Sequence, residues 1–178
     1  MVILIIILLS LIVLLLLSLL VVFLLFAFDT FLDLPYVATG KEKIPTIIKL
    51  ANIKSGDIAI DLGSGDGRLL FAAAAKSGVH AIGYEVNPFL VVLTKILALF
   101  KGLSKKIEVR RQNLWDADLS SADVIFVYGR AKTMPKFENF LYQNAKKRTR
   151  LIVNTDKTVP FPTKKPIKSE NGIYLYKV

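Results

Sequence analysis

Hydrophobic and polar positions divide the chain into one unbroken apolar run and a longer stretch of alternating short elements. From Val2 to Phe28 no residue is charged, and only Ser10 and Ser18 are polar. At ~1.5 Å per residue such a helix is about 40 Å long, enough to cross a hydrocarbon core of roughly 30 Å with some tilt. A cleaved signal peptide would have a shorter apolar core, a basic start and small residues at its end. None of these is present, so a retained single-pass anchor is expected over residues 1–28. Residues 29–56 read as a turn-rich linker and an N-terminal helix. Thr39 and Glu42 have the spacing of a capping box for a helix bearing Ile44, Ile47, Ile48 and Ala51, while Pro45 moves its start towards Ile44.

Residues 57–178 then alternate between two periods. Strands are predicted at Asp57–Ile60, His80–Glu85, Ile107–Arg110, Ala122–Tyr128, Leu151–Val153 and Gly172–Val178. Helices are predicted at Leu69–Lys76, Phe89–Phe100 (Asn87 as N-cap and Pro88 in the first turn) and Thr133–Ala145, the last with cations at its C-terminal end. Pro160, Pro162 and Pro166 make the last connection a loop. Such alternation implies an α/β fold, a doubly wound and mostly parallel sheet with helices on both faces. Ligands in such sheets bind at the carboxyl ends of the strands. Asp61, Glu85, Asn113 and Tyr128 all fall on that rim.

Composition narrows the partners. The chain of 178 residues carries a formal charge of +10, one His and no Cys. Disulfides and thiolate metal sites are excluded, and no metal is expected, since His80 opens a strand and reads as structural. All 24 Lys and Arg lie beyond the apolar run. The positive-inside bias therefore puts the C-terminal domain in the cytoplasm. A basic domain held at a bilayer is drawn to anionic headgroups. Nucleic acid is the rival partner for such charge, but the clusters at Lys146–Arg150 and Lys164–Lys165 are not interleaved with aromatics and read as solvated surface.

The chemistry concentrates in Asp61-Leu62-Gly63-Ser64-Gly65-Asp66-Gly67-Arg68, a strand-to-helix turn. Glycines allow positive φ and close approach of a ligand. The N–H groups at the start of the helix are expected to face an anionic or polar ligand edge. A dinucleotide fingerprint needs glycine where Arg68 stands, and no Gly-Lys-Ser/Thr cradle is present. Two carboxylates in the turn disfavour phosphate and suit a cationic cofactor. The segment resembles motif I of the class I S-adenosylmethionine (SAM) methyltransferases, which implies their Rossmann-like fold.

A SAM site must hold a ribose, an adenine and a methionine end. Glu85, ending the second strand, is placed to accept from both ribose hydroxyls, with Asn87 close behind. Asn113, Leu114 and Trp115 are placed to flank the adenine, through an amide oxygen and an apolar stack; core packing is an equal reading of Trp115. Gly63, Ser64, Gly65 and Gly67 let the main chain approach the methionine portion, where Asp61 or Asp66 either meets the ammonium group or fixes the turn.

Pro35-Tyr36-Val37-Ala38-Thr39, the Asp61–Arg68 turn, Gly83-Tyr84-Glu85-Val86-Asn87-Pro88 and Asn113-Leu114-Trp115, in that order, resemble the membrane-anchored protein-lysine methyltransferases of the adenine nucleotide translocase and the ATP synthase c-subunit, with their prokaryotic relatives. Asn113 departs from the aspartate usual there. Tyr128-Gly129-Arg130 stands where amide- and adenine-methylating enzymes carry Asn-Pro-Pro-Tyr. The resemblance implies in-line methyl transfer from SAM to a lysine of a membrane protein, with Tyr36 and Tyr128 as candidates to line the acceptor pocket. Two other readings stay open on the sequence: methylation of a lipid or small apolar molecule, and a SAM-fold module that binds a membrane partner without catalysis.

Overall fold

The computed structural model describes residues 1–28, 39–155 and 161–178. Val2–Phe28 forms a helix, α1, apolar on every side. Its stretch Val2–Phe23 is long and apolar enough to cross a membrane by length and composition. Its two hydroxyls are satisfied within the helix: Ser10 Oγ donates to the Ile6 carbonyl and Ser18 Oγ to that of Leu15. α1 belongs to a separate unit from the sheet.

Among the described residues the second unit is built on seven strands: β1 (Ile58–Leu62), β2 (His80–Glu85), β3 (Ile107–Arg111), β4 (Val124–Gly129), β5 (Arg150–Thr155), β6 (Lys168–Glu170) and β7 (Ile173–Lys177). Their spatial order is β3-β2-β1-β4-β5-β7-β6. β1 to β5 are mutually parallel, whereas β7 runs antiparallel to β5 and to β6. Asn171 and Gly172 take positive φ (51° and 72°) between β6 and β7, making a two-residue hairpin turn. The last strand therefore starts after Gly172, not at it, and has a partner strand that the sequence reading lacks.

The helices described in this unit are α2 (Ile44–Ala51), α3 (Arg68–Ala74), α4 (Pro88–Phe100) and α5 (Met134–Asn144). Alternation along the strands sorts the core into two layers. Ala59, Ala81, Val109, Val124, Phe126, Ile152 and Ile173 pack with Ile47 and Leu50 of α2, Leu70 and Ala73 of α3, and Val91 and Ala98 of α4. The intervening strand residues, such as Ile60, Ile125, Leu151 and Val153, are buried too, as doubly covered parallel strands require. A short 3₁₀ turn, Leu114–Asp116, stands between β3 and β4 in place of a full helix.

Two local expectations fail. The capping box does not form: a 3₁₀ turn over Lys41–Lys43 starts at Gly40 without a side-chain cap, and α2 begins at Ile44 with Pro45 in its first turn, where its missing N–H costs nothing. No cation lies in the last turn of α5. It stops at Asn144, and Lys146 instead pairs with Asp123 (2.7 Å).

Candidate active site

Strand order reverses at β1. The chain steps outward from β1 to β2 and β3, then returns to place β4 on the other side of β1. That is the switch point at which doubly wound sheets open a crevice. Register fixes what lines it: Asp61 lies beside Gly83 of β2 and Phe126 of β4, and Tyr128 beside Asn154 of β5.

The turn after β1 folds tightly on β2. The amides of Gly63 and Ser64 both donate to the Tyr84 carbonyl (2.9 and 3.0 Å). This approach requires glycine at position 83, where a Cβ would lie 2.5 Å from Ser64 Oγ and 2.6 Å from Leu70 Cδ1. Gly63, Gly65 and Gly67 all take positive φ (83°, 55° and 77°). From α4, Thr94 Oγ1 donates to the Gly65 carbonyl (3.1 Å), holding the far side of the turn. Thr94 and Gly83 are absent from the site residues that sequence reasoning picks out. Thr94 does carry a signal, as the only hydroxyl in α4, a helix that is apolar apart from it and Lys95.

Of the amides expected to face an anionic or polar ligand edge, several have partners within the protein. The Gly65 amide donates to Glu85 Oε2 (2.8 Å), Gly67 to the Ser64 carbonyl (2.9 Å) and Arg68 to Asp66 Oδ1 (3.3 Å). With Gly63 and Ser64 spent on Tyr84, five donors of the turn are used internally.

What it offers as well is a cluster of acids. Asp61 is buried, and its carboxyl is pushed well above the usual carboxylate range, first by desolvation and then by Glu85 and Asp66. Asp66 is held by the Arg68 guanidinium (2.5 Å), which also donates to the Thr39 carbonyl. Asp66 thus ties the turn to Arg68 and, through it, to the main chain at Thr39. Glu85 is buried and ties two segments, since its Oε1 accepts from the Asn87 amide (2.9 Å) while Oε2 holds Gly65. A carboxylate oxygen can accept more than one hydrogen bond, so this tie is compatible with a ligand hydroxyl. Ser64 Oγ is buried without a hydrogen-bond partner. Buried acid without an anion cradle, beside an orphaned hydroxyl, fits a cationic nucleoside.

The remaining candidates separate. Asn87 caps α4, its Oδ1 accepting from Phe89 and Leu90. Asn113 Oδ1 accepts from the Trp115 amide (3.1 Å), capping the 3₁₀ turn. Leu114 reaches over the glycine turn, its Cδ2 being 3.8 Å from where a Cβ on Gly63 would stand. The Trp115 ring packs instead on α5, 4.5 Å from Phe137 and 5.6 Å from Phe140, under Lys136 Nζ at 4.0 Å. Tyr128 is half-buried at the end of β4. Beside it, Lys43 Nζ donates to the buried Asn154 Oδ1 (3.1 Å), so this rim already holds one lysine ammonium on an amide oxygen. Tyr36 and most of the Pro35–Thr39 motif lie outside the described residues. Among the described residues no cluster of His, Cys, Asp or Glu has the geometry to hold a metal ion.

Comparison with known proteins agrees with this geometry. The ANTKMT methyltransferase domain matches residues 61–166. The lysine N-methyltransferase of the ATP synthase c-subunit from Xenopus laevis is 33% identical over 131 residues, covering 74% of this chain and 56% of that protein. The chain thus spans little more than half the length of that relative. A protein-lysine N-methyltransferase of Saccharolobus islandicus is 26% identical over 149 residues, covering 80% of this chain and 92% of that protein. An RNA methyltransferase from Salinibacter ruber, solved in complex with S-adenosyl-L-homocysteine, superposes with a TM-score of 0.72 at 27% identity, over 79% of this chain and 93% of that one.

Proposed function

The chain belongs to the ANTKMT methyltransferase domain family, and from that premise we propose that it is a SAM-dependent protein-lysine N-methyltransferase, anchored by α1 with its catalytic domain on the cytoplasmic side. Its substrate is a lysine of a membrane-associated protein. Residues 57–178 form the SAM-binding methyltransferase domain, and residues 29–56 lead into it from the anchor at 1–28. The observation that carries the reading is Asp61, a buried carboxyl flanked by two further acids in a turn five of whose amides are bonded within the protein.

When bound, SAM supplies an electrophilic methyl group on a sulfonium sulfur. Asp61 holds the ammonium of its methionine end, and the Gly63–Gly67 turn gives the room. Glu85 accepts from the ribose hydroxyls. Asn113 and Leu114 flank the adenine. The acceptor lysine must lose a proton first, and its free pKa is about 10.4. Partial burial at the β4 and β5 rim lowers that value by penalising the charged form. Tyr128, with Tyr36, lines the acceptor pocket and orients the neutral amine; holding it in line supplies much of the rate.

Incubation of the full chain with methyl-labelled SAM and a membrane extract tests this reading. Label on lysine within a protein band is the expected result. Label in the organic phase, label in RNA, or none despite calorimetric SAM binding would each replace it.

A further inference from the structure

We infer that the outer face of α4 rests on the surface of an anionic lipid bilayer. The helix buries Leu90, Val91, Thr94 and Ala98 against the sheet. On its other side Val92, Ile96, Leu99 and Phe100 are 54%, 46%, 68% and 83% exposed. Their spacing sets them on successive turns of one face. A contiguous exposed apolar row of this kind marks a contact surface, unlike single exposed leucines.

Charge identifies the occupant. From Val86 to Ile107 there is no acidic residue, while the exposed Lys95 and Lys105 accompany the row; Lys101 Nζ lies over the Phe71 ring at 5.6 Å and Lys106 Nζ donates to the Ala74 carbonyl (3.4 Å), both towards α3. Apolar residues bordered by lysines on a surface helix match the boundary between headgroups and acyl chains, where the row enters and the ammonium groups meet lipid phosphates. A second copy of this chain is a poor occupant, because self-pairing would bring like-charged lysines together with no acid on this stretch to offset them. The inference rests on the anchor reading of α1, which keeps a bilayer at hand for this face.

The absence of Cys makes the test direct, since a single introduced thiol takes the only label. Full-length Leu99→Cys, Lys168→Cys and Leu14→Cys, each carrying an environment-sensitive fluorophore, are reconstituted in vesicles of phosphatidylcholine with phosphatidylserine, with and without brominated acyl chains. The label at position 99 is expected to shift to the blue and to be quenched by the brominated lipid. The label at 168, on the far edge strand, should not respond. Pure phosphatidylcholine, high salt or Lys95→Glu with Lys105→Glu should remove most of the quenching at 99. Quenching at 14 but not at 99 overturns the inference and leaves the anchor standing. Quenching at neither overturns both. A blue shift at 99 that grows with protein density and ignores brominated lipid assigns the face to a second copy and also overturns it.

Discussion

At the scale of single residues the site turns on a carboxyl held at a cost. Because burial and two neighbouring acids raise the Asp61 pKa, the native state keeps that proton to higher pH than the unfolded chain does. The stability this group contributes is therefore full below its unfolded value and is lost as pH rises through the raised one. Asp61→Asn should stabilise the cofactor-free protein at neutral pH, seen as a higher Tm. The same substitution should weaken SAM by about tenfold to a hundredfold, the worth of a hydrogen bond to a charged group, measured by calorimetry. In the wild type, affinity for SAM should fall as the pH drops below the raised value and Asp61 takes up its proton. Gly83→Ala acts through space alone. Its methyl would meet Ser64 and Leu70, and overpacking of this kind costs about 1–3 kcal/mol. Denaturant unfolding should show that loss, together with reduced SAM affinity, because Ser64 belongs to the turn.

At the scale of elements, the two rims of the sheet have different work. On the rim away from the site, Arg150 at the start of β5 donates to Asp57 Oδ2 (2.6 Å) just before β1 and to the Ala51 carbonyl (2.8 Å) at the end of α2. Both charged side chains are largely buried, at 19% and 13% exposure. Arg150→Met leaves Asp57 without this cation and should cost about 3 kcal/mol, while SAM affinity at the opposite rim stays near that of the wild type. Unfolding and calorimetry on the one variant separate the two effects. The same elements show what is legible in the sequence. The central strands and α4 can be read because period, Asn87-Pro88 and the glycine turn all agree. The β6–β7 hairpin escapes although Asn171-Gly172 signals it, because the three-residue β6 is too short to show a period. Trp115 is undecidable from sequence, because its partners Phe137 and Phe140 come from a helix more than twenty residues away. The Lys146–Arg150 cluster reads as loose surface charge, yet Lys146 and Arg150 each hold an aspartate.

At the scale of the whole molecule, charge and apolar surface are sharply partitioned. α1 has no charged residue, and the whole formal charge of +10 belongs to the residues beyond it. On the anchored topology proposed above, the chain should stay with membranes through an alkaline carbonate wash, and a C-terminal epitope should be open to protease only from the cytoplasmic side. The self-contained hydrogen bonding of the turn has a further consequence for the cell. Cytoplasm is rich in adenosine triphosphate, which shares its sugar and base with the methyl donor and differs at the end where one carries phosphates and the other a cation. A loop that gives five of its amides to protein carbonyls and carboxylates, with three acids beside them, disfavours the triphosphate. On the methyltransferase reading proposed above, the common nucleotide should therefore leave methyl-donor occupancy unchanged even in large excess, and methyl transfer should track the donor-to-product ratio independently of the energy charge around it.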